Sequence, residues 1–233
     1  MSWTPTPSSD FWFGRAPQPA RQLSTSPTEV LHIAIAYLVL TFDLAIVESA
    51  LTPGDFGSVP FAALVPALVF GLVAAATGFV AHEMAHKVTA ERYGFWAEFR
   101  LSSAGLLLSV VTALFGFIFA APGATVVGGM GDVREWGKTS LAGPLVNLVE
   151  AAAFVGLGAL VAEITGSEAL WPFFLLVAFI NAWFATFNLV PLGPLDGRKV
   201  YRWDRRIWAA SIAVSAAVAG LMLWLSSTLP GPF

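Results

Sequence analysis

Six stretches of this chain, at about residues 29–48, 62–90, 101–127, 140–162, 169–192 and 207–228, are apolar over roughly the 20 residues that cross a bilayer's hydrocarbon. Backbone amides in lipid have no water to bond, so such stretches fold as helices, or as irregular segments only where protein buries them. Charged residues are 12% of the chain and mean hydropathy is +0.74, against roughly 25% charged in soluble domains. The expected class is an all-α polytopic membrane protein. The spans leave no room for a separate soluble domain. Residues 1–28, rich in Pro, Ser and Thr, read as a flexible cytoplasmic tail, with Trp3, Phe11, Trp12 and Phe13 at the interface. Residues 29–233 read as one membrane domain.

Basic residues set the topology. Lys87, Arg92 and Arg100 follow the second stretch, Arg134 and Lys138 precede the fourth, and Arg198, Lys199, Arg202, Arg205 and Arg206 follow the fifth. All three clusters belong on the cytoplasmic side. A full crossing by 101–127 would put the later clusters outside, whereas a re-entrant hairpin keeps them inside. Gly116, Pro122, Gly123, Gly128, Gly129 and Gly131 break that stretch, as a dip into the membrane and back requires. The expected layout is five full spans plus this hairpin, a sixth full span being the alternative. Arg15 and Arg21 fit an inside N-terminus.

Chemistry enters at His82-Glu83-Met84-Ala85-His86, where ionisable groups interrupt an apolar span. On a helix, residues i and i+4 share a face, so the two imidazoles can hold one metal with Glu83 beside them as general base. His82 lies about 15 Å below the cytoplasmic end of its helix at 1.5 Å per residue, so the site falls within the membrane, nearer the cytoplasm. The chain has no cysteine, so a third ligand must come from His, Asp, Glu or Asn. His32, Asp43, Glu48, Glu150 and Asp196 are the candidates. Asp196 is favoured, because Pro191 and Pro194 break the preceding helix and can aim a carboxylate inward. His32 reads as a helix-start or snorkelling residue, and Asp43 and Glu48 as polar groups nearer the outer surface. Glu150 shares a helix face with Asn147 and is placed to support the site or gate a water path. Trp171, Trp203 and Trp224 read as interface anchors.

Three motifs in order, His82 to His86, Gly143-Pro144-Leu145-Val146-Asn147, and Asn188 through Pro191 and Pro194 to Leu195-Asp196-Gly197, resemble the site-2 protease family of intramembrane zinc metalloproteases. The resemblance covers about residues 62–206, a catalytic core without PDZ or CBS domains. It implies one Zn2+ held by His82, His86 and Asp196, with Glu83 as general acid/base. It further implies that Asn188 and Asn147 orient the substrate or polarise its carbonyl, and that a sheet-like element dips into the membrane between the first two core helices.

The resulting expectation is a zinc endopeptidase in the cell membrane, hydrolysing peptide bonds in or near transmembrane segments of membrane-anchored proteins. A transmembrane substrate must unwind before attack, and the edge of the 101–127 hairpin could hold it extended by strand addition. The partners are then substrate helices and the bilayer. A net charge of -3 with locally clustered basic residues argues against nucleic acid. The alternative is a metal-ion transporter, which would need polar residues in both halves of the membrane.

Overall fold

The computed structural model describes residues 24–48, 61–118 and 122–227. Helix α1 runs from Pro27 to Glu48. Ser26 Oγ accepts the Glu29 N–H at 3.0 Å, and Pro27 stands first in the helix, where its missing N–H costs nothing. The helix therefore begins two residues inside the expected tail. Residues 1–23 of that tail, with its aromatic residues and Arg15 and Arg21, lie outside the described residues.

Helix α2 (Phe61–Ala75) passes through one π-helical segment, Ala76–Ala81, into α3 (His82–Arg92). Then come β1 (Trp96–Leu101), α4 (Ser103–Ala113), β2 (Gly123–Gly128), α5 (Val133–Thr165), α6 (Trp171–Asn188), α7 (Asp196–Trp203) and α8 (Arg205–Ser227). Five rods are long and apolar enough to cross a membrane: Pro27–Glu48, Leu64–Arg92, Val133–Thr165, Trp171–Asn188 and Arg205–Leu225.

Between the second and third of these the chain enters and turns back. Strands β1 and β2 pair antiparallel, Trp96 opposite Gly128 and Leu101 opposite Gly123, so the two ends of the element lie side by side. Helix α4 bridges the strands at the far end. Its 11 residues reach about 16 Å, roughly half a hydrocarbon core. The element is re-entrant, as the charge distribution required. It starts earlier than expected, at Trp96, and holds a helix where its glycines suggested irregular chain. The breakers flank that helix: Gly116 has φ +83° in the turn after α4, and Pro122 O accepts the Ser102 N–H at 2.8 Å to close the ladder.

Helix packing relies on close approach, since lipid offers apolar side chains no drive to associate. A Cβ at Gly71 would lie 2.2 Å from Thr41 O, so α1 and α2 cross there only because residue 71 has none. Around that crossing Leu40, Leu44, Phe70, Phe79, Phe99 and Val177 form the main core. Trp171 of α6 fills a notch at Gly158 of α5, and Trp203 fills another at Gly137. Both tryptophans therefore pack against helices, because a missing side chain on α5 leaves each a seat, whereas Trp224 is exposed.

Candidate metal centre

Helix α3 presents His82 and His86 on one face, both buried, with ring centroids 4.6 Å apart. Each imidazole donates its Nδ1–H to an oxygen. For His82 the acceptor is Asn147 Oδ1 at 2.5 Å, and for His86 it is the Thr139 carbonyl at 2.7 Å, both on α5. The Nε2 atoms then carry lone pairs, and they face each other at 3.0 Å.

Asp196 completes the group. After Asn188 the chain turns through Pro191 and Pro194 and restarts as α7 with Asp196 as its first residue. This return passes so close to the end of α6 that a Cβ at Gly197 would lie 2.0 Å from Leu189 O. Asp196 Oδ2 thereby reaches 2.9 Å from His86 Nε2 and 3.5 Å from His82 Nε2. With a proton on Nε2 in place of a metal, the His86 and His82 rings outweigh the burial that would raise this carboxyl's pKa and hold it below the ordinary carboxylate range.

Three electron-pair donors converging in a buried space need a cation. Their separations of 2.9–3.5 Å bracket the roughly 3.3 Å edge of a tetrahedron with zinc–ligand bonds near 2.05 Å. Space for the ion exists because residue 143 is glycine: a Cβ there would sit 2.6 Å from both Nε2 atoms. The two Nδ1 acceptors fix the tautomer that metal ligation requires. The residues fit zinc, and among the described residues these three form the one group of His and acidic side chains close enough to hold a metal.

Glu83 is buried beside the imidazoles, and its Oε2 accepts the Thr125 N–H of β2 at 2.7 Å. The Thr125 hydroxyl donates to the Glu83 carbonyl at 3.1 Å, so strand β2 and helix α3 are tied at two points. A cavity of about 920 Å³ opens in front of these groups, lined by β2 from Gly123 to Val127, by Asn188 and by Leu192 to Asp196. Asn188 Nδ2 donates one proton to Phe184 O at 3.0 Å, leaving its second. Asn147 is fully buried behind His82, so its contact is with that imidazole, whereas the resemblance implied contact with substrate.

The two strands have different free edges. In an antiparallel ladder alternate residues turn their backbone groups outward. On β1 these groups are taken: Glu29 Oε1 accepts Phe99 N–H at 3.0 Å, His32 Nδ1 accepts Leu101 N–H at 3.4 Å, and Lys87 Nζ donates to Ala97 O at 3.0 Å. On β2, which faces the cavity, Thr125 N–H is held by Glu83. His32 thus caps an edge and stands apart from the metal group. Asp43, Glu48 and Glu150 stand apart from it too. Asp43 and Glu150 each keep one buried carboxyl oxygen without a hydrogen bond, and Asp43 is 1% exposed.

Sequence reasoning missed Thr139, Thr125 and the role of Gly143. The first two act mainly through backbone atoms, which no side-chain pattern reports. It also passed over Asn181 on α6, fully buried and bonded to Asn147, although an amide amid apolar residues was a visible signal.

No family model and no solved structure matches the chain. Among curated proteins, a candidate zinc metalloprotease of Methanocaldococcus jannaschii is 34% identical over 204 residues, spanning 86% of this chain and 95% of its own length. The candidate zinc metalloprotease Rip3 of Mycobacterium tuberculosis is 28% identical over 208 residues, which cover 84% of this chain and 47% of Rip3. The archaeal likeness covers 86% of this chain and 95% of that protein: the chain belongs to the site-2 protease family of zinc metalloproteases.

Proposed function

We propose that this protein is an intramembrane zinc endopeptidase, cutting membrane-anchored proteins in or near their transmembrane segments at a site nearer the cytoplasmic face. The observation that carries this reading is the convergence of His82 Nε2, His86 Nε2 and Asp196 Oδ2 with separations of 2.9–3.5 Å, beside Glu83 and a cavity within the helical bundle. A zinc ion bound there supplies Lewis-acid activation of water and of the scissile carbonyl. Glu83 takes a proton from the attacking water and returns it to the leaving amine. Asn188, with one amide proton free, donates to the oxygen on which charge develops. Asn147 acts one bond further back, orienting His82.

Strand β2 gives the substrate a place to lie extended. Its outer edge lines the cavity, whereas that of β1 is capped by Glu29, His32 and Lys87. An unwound substrate segment adds to β2 by strand pairing, which recovers the hydrogen bonds its helix gave up. Glu83, bonded to the middle of that strand, then meets the peptide held along it.

The test is to purify the wild type, Glu83→Ala and Asp196→Ala, count zinc, and assay cleavage of a single-span membrane substrate. Glu83→Ala is expected to keep zinc and lose cleavage; Asp196→Ala is expected to lose both. Hydrolysis retained in Glu83→Ala removes the base from the mechanism, and full zinc in Asp196→Ala removes the third ligand.

A further inference from the structure

Behind His82 a line of side-chain hydrogen bonds crosses from α5 to α6 and back to the π segment. Asn147 Nδ2 donates to Gly78 O at 2.9 Å and to Asn181 Oδ1 at 3.1 Å. Asn181 Nδ2 donates to Thr77 Oγ1 and to Val177 O, both at 3.0 Å. The Thr77 hydroxyl donates to Val73 O, also at 3.0 Å. Asn147 and Asn181 are both fully buried.

The direction of this line is forced. Backbone carbonyls can only accept, so Val73 O obliges Thr77 to donate away from Asn181 and to offer it a lone pair. Val177 O and Thr77 Oγ1 together turn the Asn181 NH2 group toward themselves and leave its carbonyl oxygen facing Asn147. Asn147 then meets two acceptors, Gly78 O and Asn181 Oδ1, on one side. Its NH2 group turns to them, and its own oxygen turns to His82. That oxygen accepts only from Nδ1–H, so the proton sits on Nδ1 and the Nε2 lone pair is left for the metal. Gly78 lies in the π segment, a local widening of the helix often found at functional sites, and its carbonyl supplies one of the fixed acceptors. In hydrocarbon no water is at hand to replace a lost partner.

We infer that Asn181, assisted by Thr77, is a positioning residue that sets the His82 tautomer through Asn147. The inference rests on the zinc reading of the site. Gly78 O still orients Asn147 when Asn181 is gone, so the expected loss is partial, about tenfold in zinc affinity, in the range found when outer hydrogen-bond partners of metal ligands are removed.

The chain has three histidines, which makes the tautomer directly observable by 15N NMR of histidine-labelled protein in detergent. With zinc removed, the neutral ring of wild-type His82 should show one tautomer with the proton on Nδ1. Asn181→Leu should show a mixture and bind zinc about tenfold more weakly, while its circular dichroism and elution in detergent match the wild type. A cycle with Asn147→Ala then separates this role from bulk stability. If Asn181 acts through Asn147, the double variant binds zinc as the Asn147→Ala single does. A folded Asn181→Leu with a single tautomer and unchanged zinc affinity would overturn the inference, as would additive losses in the cycle. If Asn181→Leu does not fold, Thr77→Val carries the test: weaker zinc binding supports the relay and unchanged binding overturns it. Wild type that binds no zinc fails the metal reading itself, which is distinguishable from zinc-binding wild type with an indifferent Asn181→Leu.

Discussion

One methyl group at residue 143 is enough to close the metal site. An alanine Cβ there would lie 2.6 Å from both Nε2 atoms, inside van der Waals distance and in the space a shared ion needs. Alanine is the better helix former by up to about 1 kcal/mol, but crowding two held imidazoles costs typically about 1–3 kcal/mol, so Gly143→Ala should lower thermal stability modestly while weakening zinc affinity roughly 100-fold or more. Calorimetric titration beside a melting curve reads both signs, and full zinc binding in the variant would show that the pocket yields. Acid should also strip the metal, and the sign follows from the donors. Protons compete with zinc for the two imidazoles, whose ordinary pKa is about 6.5. Asp196, held below the ordinary carboxylate range, stays ionised throughout that window. Zinc affinity is thus expected to fall as the pH falls, with up to two protons taken up per ion released. A fall centred near pH 4 would assign the loss to a carboxylate instead. His82, Glu83 and His86 were readable because the α-helix converts their spacing into a shared face. Asp196 was readable only as the best of five candidates, since no local period relates α3 to α7, and the Thr139 and Thr125 backbone partners left no trace in composition.

At the scale of elements, the re-entrant segment was read from charge parity, and its edge now gives a sharper test than its glycines did. Val127 sits on the outward register of β2, so its N–H is free of the ladder to β1, whose bonds come from the alternate residues Ala124, Val126 and Gly128. Proline removes that N–H and is tolerated at a strand edge. Val127→Pro is therefore expected to keep its zinc and its fold while lowering kcat/KM on a transmembrane substrate about fivefold, one strand hydrogen bond being worth about 1 kcal/mol. Val127→Ala, which keeps the N–H, should cleave like wild type. Equal rates for the proline and alanine variants would remove strand addition at β2 as the binding mode. Helix α4 escaped the sequence reading because glycines and Pro122 on its far side suggested irregular chain throughout. Its start was marked all the same, by Ser102, whose Oγ accepts the Gly105 N–H at 3.1 Å.

Across the whole molecule, a buried ion pair fastens the first helix to helix α3, which carries His82 and His86. Lys87 follows His86 directly and was counted as one of the cytoplasmic positive charges. It is instead 2% exposed, with Nζ 2.9 and 2.7 Å from the two Glu29 oxygens, 2.7 Å from Ser24 O and 3.5 Å from Glu91 Oε1. The orientation expected from the basic residues rests equally on Arg92 and Arg100 at the same end. A single lysine thus joins the start of α1, helix α3 and strand β1, and Glu29 extends the joint to Phe99 N–H. No sequence rule foretells such a pairing, since Glu29 and Lys87 are brought together only by the packing of α1 against β1 and α3. Removing one partner of a buried pair strands the other's charge, so Lys87→Met should destabilise the protein by about 3–5 kcal/mol. Neutralising both partners in Lys87→Met/Glu29→Gln should recover much of that loss, since fewer uncompensated charges then stay buried. Reversible unfolding in mixed detergent measures all three proteins, and zinc content shows whether the metal group depends on the clamp. His86 is also held by Thr139 and Asp196. The double variant should therefore bind zinc like wild type, and a double variant no more stable than Lys87→Met would show that the lysine acts by packing and not by charge.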